Sequence, residues 1–161
     1  TGETGEIAIR SAANFRGYWN DPESTAAAFT ADGYLKTGDV GYLDEDGYLF
    51  IVDRKKDIII RGGENISCQE VEAAIYSHPA VSEASVFGVP CDRLGEVPAA
   101  VVYSEDDRAL DAEGLRAFLD GRIAQYKIPQ QIWVYDEPLP KLGTGKIDKK
   151  TLRERYSAEA A

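Results

Sequence analysis

Methionine is absent from this 161-residue sequence, and histidine and cysteine are nearly so, represented by His78 and by Cys68 and Cys91. The two cysteines form no C-x-x-C pair and a single histidine completes no zinc ligand set, so no metal site is expected. A reduced, cytoplasmic setting fits that usage. Positive charge is also scarce. Eighteen Lys and Arg stand against 28 Asp and Glu for a formal charge of −10, which argues against nonspecific binding to nucleic acid or an anionic membrane. Any anionic ligand must therefore meet a local cluster of cations. No apolar run approaches the roughly 18 residues that a membrane span requires. The opening TGETGEIAIR lacks the basic start and apolar core of a signal peptide, so the sequon Asn65-Ile66-Ser67 is read as chance. With no initiator Met and a start in mid-turn, the chain is expected to be a piece of a longer protein.

What is present is enough for a globular core: 43% of residues are hydrophobic, normal for one domain or for a small domain with an appendage. Ile7 and Ile9 alternate with smaller or polar neighbours across 6–10, the period of a half-buried strand. Asp21 can cap a helix with Pro22 at its first position, through an alanine-rich run closed by Ala31-Asp32-Gly33. Residues 34–39 read as a short extended segment entering a turn. Two strands, 40–43 and 48–52, are then joined through Asp44-Glu45-Asp46-Gly47, whose Asp-Gly is hairpin chemistry.

A change of pattern follows. Two apolar runs, 49–52 and 58–60, flank five consecutive charged residues, Asp53 to Asp57, where the chain is expected to leave one packed unit and enter another. The stretch closes on Arg61-Gly62-Gly63-Glu64-Asn65, whose glycines permit positive φ and close backbone approach. Taken alone it reads equally as strand, surface turn and strand. Ser67-x-x-Glu70 has the form of a capping box. The helix it opens, with Val71, Ala74 and Ile75 on one face, stops at Pro79, leaving His78 as a helix-end residue. Strands are expected over 81–89 and 97–103 around a turn at 90–95. A helix capped by Asp111 presents Leu115, Phe118, Leu119 and Ile123, and a short strand covers 132–135. From Lys56 onward this composes a compact α+β unit of ordinary domain size.

The last segment, Leu139-Pro140-Lys141-Leu142-Gly143-Thr144-Gly145-Lys146-Ile147, precedes a helix over about 148–156. Glycines followed by lysine suggest a phosphate-cradling P-loop, but that motif needs glycine at Pro140 and Ser or Thr at Ile147. What remains is one lysine on a glycine-containing loop, or else the start of a solvated basic tail continuing through Lys149, Lys150, Arg153 and Arg155.

Taken together the motifs resemble the AMP-forming adenylate superfamily of acyl-CoA synthetases, peptide-synthetase adenylation domains and firefly-type luciferases. Five motifs in order carry the resemblance across nearly the whole chain: Gly17-Tyr18-Trp19-Asn20 after the first strand, Tyr34-x-x-Thr37-Gly38-Asp39, the hinge and glycine loop of 47–72, Tyr126-Lys127-Ile128-Pro129, and the 140–150 lysine loop. The resemblance implies an α+β fold: residues 1–52 as the end of a large ATP-binding domain, 53–56 as hinge, 57–161 as the small mobile C-terminal domain. It implies ribose binding by Asp39, nucleotide contact by Arg54, a pivot at Lys56 and a catalytic role for Lys146. Gly62 and Gly63 would line the thiol's approach. The expected ligands are ATP or AMP and CoA, with Mg bound alongside ATP by residues outside this chain, and a small carboxylic acid as substrate.

The implied chemistry suits these side chains. Adenylation drives a carboxylate onto a phosphate, anion against anion, and a compact lysine cation lowers that barrier. Arg61-Gly62-Gly63-Glu64-Asn65 looks more like acyl-CoA synthetases than peptide-synthetase domains. A luciferase-like oxygenase, a peptide-synthetase-type adenylation domain or a noncatalytic nucleotide-binding module is the alternative. The expected partner is the missing N-terminal domain, without nucleic acid or a membrane span, and 1–52 could also pair with a second copy through an exposed strand edge. The 161 residues alone are expected to be inactive.

Overall fold

The structure, a computed structural model, describes residues 2–105 and 110–159. They divide into two compact units, Thr1–Lys56 and Asp57–Ala161.

In the first unit, β1 (Gly5–Ile9), β2 (Leu35–Leu43) and β3 (Leu49–Arg54) form an antiparallel sheet in the order β1-β2-β3. The α1 helix (Pro22–Ala28) starts where its cap chemistry dictates, with Asp21 Oδ1 accepting the Ser24 N–H at 2.9 Å. The expected hairpin turn forms as well: Asp44 Oδ1 accepts the amides of Asp46 and Tyr48. Two expectations need correcting here. The segment 34–39 does not stop at a turn, because its backbone continues into one nine-residue strand with a register shift between Val40 and Gly41. Strand β3 runs past Val52 through Asp53, which is fully buried, so the charged run opens inside a strand.

The second unit is an α+β layered structure. A 3-10 turn, Lys55–Asp57, leads into β4 (Ile58–Arg61), and Gly62-Gly63 turns the chain back into β5 (Glu64–Ser67). The sequence signalled the turn but not this second strand. Helix α2 (Cys68–Tyr76) follows, then β6 (Glu83–Cys91), β7 (Gly95–Tyr103), α3 (Ala112–Leu119), β8 (Gln131–Tyr135) and α4 (Lys149–Glu159). The sheet order is β5-β4-β7-β6, and β8 lies parallel to the later half of β7.

Alternation along the two long strands explains why this sheet carries helices on both faces. Ala84, Val86, Ala100 and Val102 point into one cluster with Val71 and Ile75 of α2 and Leu115 and Leu119 of α3. Their neighbours Phe87, Val89, Ala99 and Val101 point into a second cluster with Leu139, Leu152 and Tyr156. Strands buried on both faces read as continuous apolar runs. The turn between them is shorter than 90–95 would give, since β6 reaches Cys91 and β7 starts at Gly95. Pro98, lacking an N–H for the ladder, is tolerated inside β7 because β4 pairs only at Gly95 and β8 begins pairing at Ala99.

Local capping also departs in one respect from its sequence signature. Ser67 Oγ accepts the Glu70 N–H, but the Glu70 carboxylate binds the Lys127 ammonium at 2.6 and 2.7 Å. A charged partner outcompetes a single backbone amide. Helix α3 ends at Leu119, with Ile123 in a bridge to Asp120 rather than on the helix. His78 Nδ1 accepts the Ala80 N–H and the ring meets Phe118 edge-on, a packing role.

Candidate functional site

In the first unit, β2 and β3 place Asp39 directly opposite Arg54. The guanidinium Nε lies 3.0 Å from Asp39 Oδ1, with both side chains partly open to solvent. Thr37 fixes the approach to this pair: its hydroxyl donates to the Ile7 carbonyl at 2.9 Å and accepts the Asp39 N–H at 3.1 Å. A cleft of about 290 Å³ beside the pair is lined by Gly38, Arg54, Lys55 and Lys56. One guanidinium and two lysine side chains line this cleft, with Asp39 holding the guanidinium and Glu6 the Lys55 ammonium at 2.8 Å. A carboxylate accepting one bond keeps acceptor capacity for a diol, and the cations suit an anionic ligand. Lys56 itself sits in the 3-10 turn after β3.

The other candidate residues stand on two turns of the second unit. Gly62 and Gly63 occupy the centre of the β4–β5 hairpin with φ of 58° and 92°. Two successive left-handed residues make the tight hairpin turn whose twist suits the flanking strands, and Gly62 N–H also donates to the Leu94 carbonyl at 2.7 Å. Lys146 ends a second, smaller hairpin. Leu142 N–H donates to the Lys146 carbonyl and Gly145 N–H to the Leu142 carbonyl, both at 2.8 Å, while Lys141 and Ile147 bridge below them. The turn projects Lys146 outward as an exposed side chain.

Two stems hold that hairpin against the sheet. On the entering side, Leu139 is buried in the second core cluster, and its N–H donates to Glu83 Oε2 at 2.8 Å. Glu83 also pairs with Lys141. Burial pushes the Glu83 carboxyl up, but the Lys141 bond and the Leu139 N–H outweigh it and hold the group below the usual carboxylate range. Lys141 is correspondingly raised, first by its bond to Glu83 and then by that charge. On the leaving side, Ile147 packs on the same cluster. Lys149, two residues on, pairs with Glu72 of α2 at 2.9 Å. Burial alone would lower the Lys149 ammonium; the nearby negative charge, Glu72 foremost, raises it.

The reading of residues 149–155 as a solvated basic tail is corrected by the same contacts. Arg153 binds Glu96 at 2.8 Å, Arg155 donates to the Tyr135 hydroxyl at 2.9 Å, and these residues form helix α4. Glu83 carried no signal in the sequence, and Glu72 and Lys141, though inside the 47–72 and 140–150 motifs, did not stand out, because each ion-pair partner lies more than 50 residues away along the chain. Among the described residues, no group of three or more His, Cys, Asp or Glu side chains could hold a metal ion, and no helix is long and apolar enough to cross a membrane.

Comparison with known proteins gives concordant matches. Residues 70–146 match the family model of the AMP-binding enzyme C-terminal domain. The chain is 43% identical over 154 residues to the long-chain-fatty-acid–CoA ligase FadD13 of Mycobacterium tuberculosis, covering 96% of this chain and 30% of that protein. It is 45% identical over 151 residues to the 2-succinylbenzoate–CoA ligase of Geobacillus kaustophilus, covering 94% of this chain and again 30% of the relative. Among solved structures, ATP-bound MatB from Rhodopseudomonas palustris superposes with a TM-score of 0.89 at 38% identity, covering 99% of this chain and 32% of that one. The chain thus spans about 30% of the length of the curated relatives it matches.

Proposed function

Because the chain belongs to the AMP-binding, acyl-CoA-ligase superfamily and matches its C-terminal domain, we propose that its parent protein is an AMP-forming acyl-CoA synthetase. In the first step a carboxylate oxygen attacks the α-phosphorus of ATP, and the bond to the β-phosphate breaks with pyrophosphate leaving. In the second, the CoA thiol attacks the acyl carbon, the bond from that carbon to the bridging oxygen of the acyl–phosphate anhydride breaks, AMP departs, and the thiol proton goes to solvent.

The observation that carries this reading is the family match that ends on Lys146, a lysine held outward on a braced turn. Its ammonium would sit between the attacking carboxylate and the phosphate oxygens, where negative charges converge. Asp39 would accept the ribose hydroxyls while Arg54, bound to its Oδ1, orients it and contacts the nucleotide. The Gly62-Gly63 turn, free of side chains, would admit the narrow thiol arm of CoA in the second step. Lys56 is the proposed pivot that exchanges the two turns between steps. Mg accompanying ATP would find its ligands in the remainder of the parent.

The substrate follows from none of these residues. FadD13 and the G. kaustophilus enzyme are named for chemically different acids, yet they match this chain at 43% and 45% identity, which supports a reading in which acid selection lies elsewhere in the parent. The remainder of that parent is also the proposed partner of the apolar side chains that the Thr1–Lys56 unit exposes, Trp19, Leu49, Phe50 and Ile51 among them.

The test uses the full-length protein. Lys146→Ala should lower acyl-adenylate formation on the order of 10²-fold or more, comparable to losing one preorganised donor. It should leave conversion of a supplied acyl-adenylate to the CoA thioester near wild type. Equal loss of both half-reactions would remove Lys146 from the proposed role. Light emission in place of CoA-dependent AMP release would reassign the parent to the luciferase-like class.

A further inference from the structure

The edge of the second unit's sheet is a strand, β6, whose outward backbone groups would be open if nothing covered them. Side chains take that place. The Tyr76 hydroxyl accepts the Ala84 N–H at 3.0 Å and Glu72 Oε1 accepts the Val86 N–H at 2.8 Å, both reaching over from α2. The same Glu72 oxygen holds Lys149, while Glu83, at the start of β6, holds Lys141 and the Leu139 amide. Two carboxylates along one strand edge therefore grip the two stems of the Lys146 hairpin, one on each side of the turn.

The grip addresses a mechanical need. Between the stems the turn contains Gly143 and Gly145, and a short isolated hairpin has little stability of its own in water. Lys146 adds four rotatable side-chain bonds to that soft support. A cation whose value lies in standing at one point of a transition state loses much of it when displaced by about 1 Å. Glu83 is the stronger holder of the hairpin because the amide and the ammonium it takes, Leu139 N–H and Lys141, both belong to the entering stem, whereas the amide that Glu72 takes, Val86 N–H, belongs to β6 and only Lys149 follows the leaving stem.

We propose that Glu83, with Glu72 as its counterpart on the second stem, is a positioning residue for adenylation: it fixes the stance of the hairpin from which Lys146 works, without touching substrate. This rests on the reading of Lys146 as the adenylation lysine. The two half-reactions then separate a positioning role from a structural one, since only the first uses Lys146.

In the full-length protein, Glu83→Ala should lower the rate constant of acyl-adenylate formation by about 10- to 10²-fold, with KM for ATP little changed and thioester formation from supplied acyl-adenylate unchanged. Glu83→Gln, which keeps an acceptor for the Leu139 N–H and loses the ion pair, should fall between Glu83→Ala and wild type. Lys141→Ala breaks the same pair from an exposed position that does not endanger folding, and should slow the same step by a smaller factor. Wild-type rates in both Glu83→Ala and Lys141→Ala, or equal loss of both half-reactions, would overturn the proposal. Lys146→Ala in the same assays tests the underlying reading separately. If it left adenylation intact, that reading would fall and the positioning role with it, whereas a selective loss there beside unaffected Glu83 and Lys141 variants would remove the positioning role alone.

Discussion

The two units invest their apolar residues differently. In Asp57–Ala161 two continuous clusters bury Ile59, Ile66, Val71, Ile75, Val86, Leu115 and Leu119 on one face of the sheet and Phe87, Val89, Val101, Leu139 and Leu152 on the other. In Thr1–Lys56, Val40 is the one buried apolar residue among those described, while Trp19, Leu49, Phe50, Ile51 and Val52 stay exposed. Hydrogen bonding does not distinguish the units, since both have closed antiparallel pairs and capped helices. The difference is one of layers. A sheet covered on two faces makes its own interior, whereas three strands and a seven-residue helix do not.

That contrast can be broken or sharpened by three substitutions in the 161-residue chain, each read by urea unfolding. Ile75→Ala, at a fully buried site on α2, should destabilise the second unit by about 2–5 kcal/mol through lost burial and a residual cavity. A cost below about 1 kcal/mol would mean that the α2 layer is loosely packed, and the contrast would weaken. Gly88→Ala should cost about 1 kcal/mol. A Cβ there would stand 2.9 Å from the Glu96 carboxylate carbon, and moving that carboxylate disturbs its bonds to the Ile60 amide and to Arg153. An unchanged midpoint would show that Glu96 relocates freely. Ile51→Ser, at a side chain 63% exposed, should stay within about 0.5 kcal/mol of the parent chain. A loss comparable to that of Ile75→Ala would show the first unit to have an interior after all.

The same division separates what could be read in the sequence from what could not. Helix starts at Asp21, Ser67 and Asp111 were legible because each cap bonds an amide three residues ahead. The Asp-Gly hairpin and the apolar face of α3 were legible for the same local reason. Strand β5 was missed because Gly62-Gly63 reads both as a loop and as a hairpin, and only the partner strand decides. The Glu70 side of the capping box was misread because Lys127, 57 residues away, competes for it. Asp53 reads in the sequence as the first residue of the charged hinge run and is buried inside a strand, since its position in β3 is set by the register with β2. At the candidate site, Gly62, Gly63 and Lys146 stood out by residue type, and Asp39 and Arg54 through the family resemblance. Their support did not, because Glu83 becomes meaningful only once β6 and the 139–147 hairpin lie side by side.

The parallel pairing of β7 with β8 has a kinetic consequence. Tyr103 pairs with Tyr135 and Ala99 with Gln131, so every rung of that ladder closes a loop of 32 residues that contains α3. Closing such a loop costs chain entropy before any rung repays it, unlike the adjacent β6–β7 hairpin, which can zip outward from its own turn. Strand β8 should therefore join β7 after the β6–β7 hairpin has formed and leave before that hairpin opens. Arg116, bonded to the carbonyls of Pro129 and Gln130 just ahead of β8, acts as its latch.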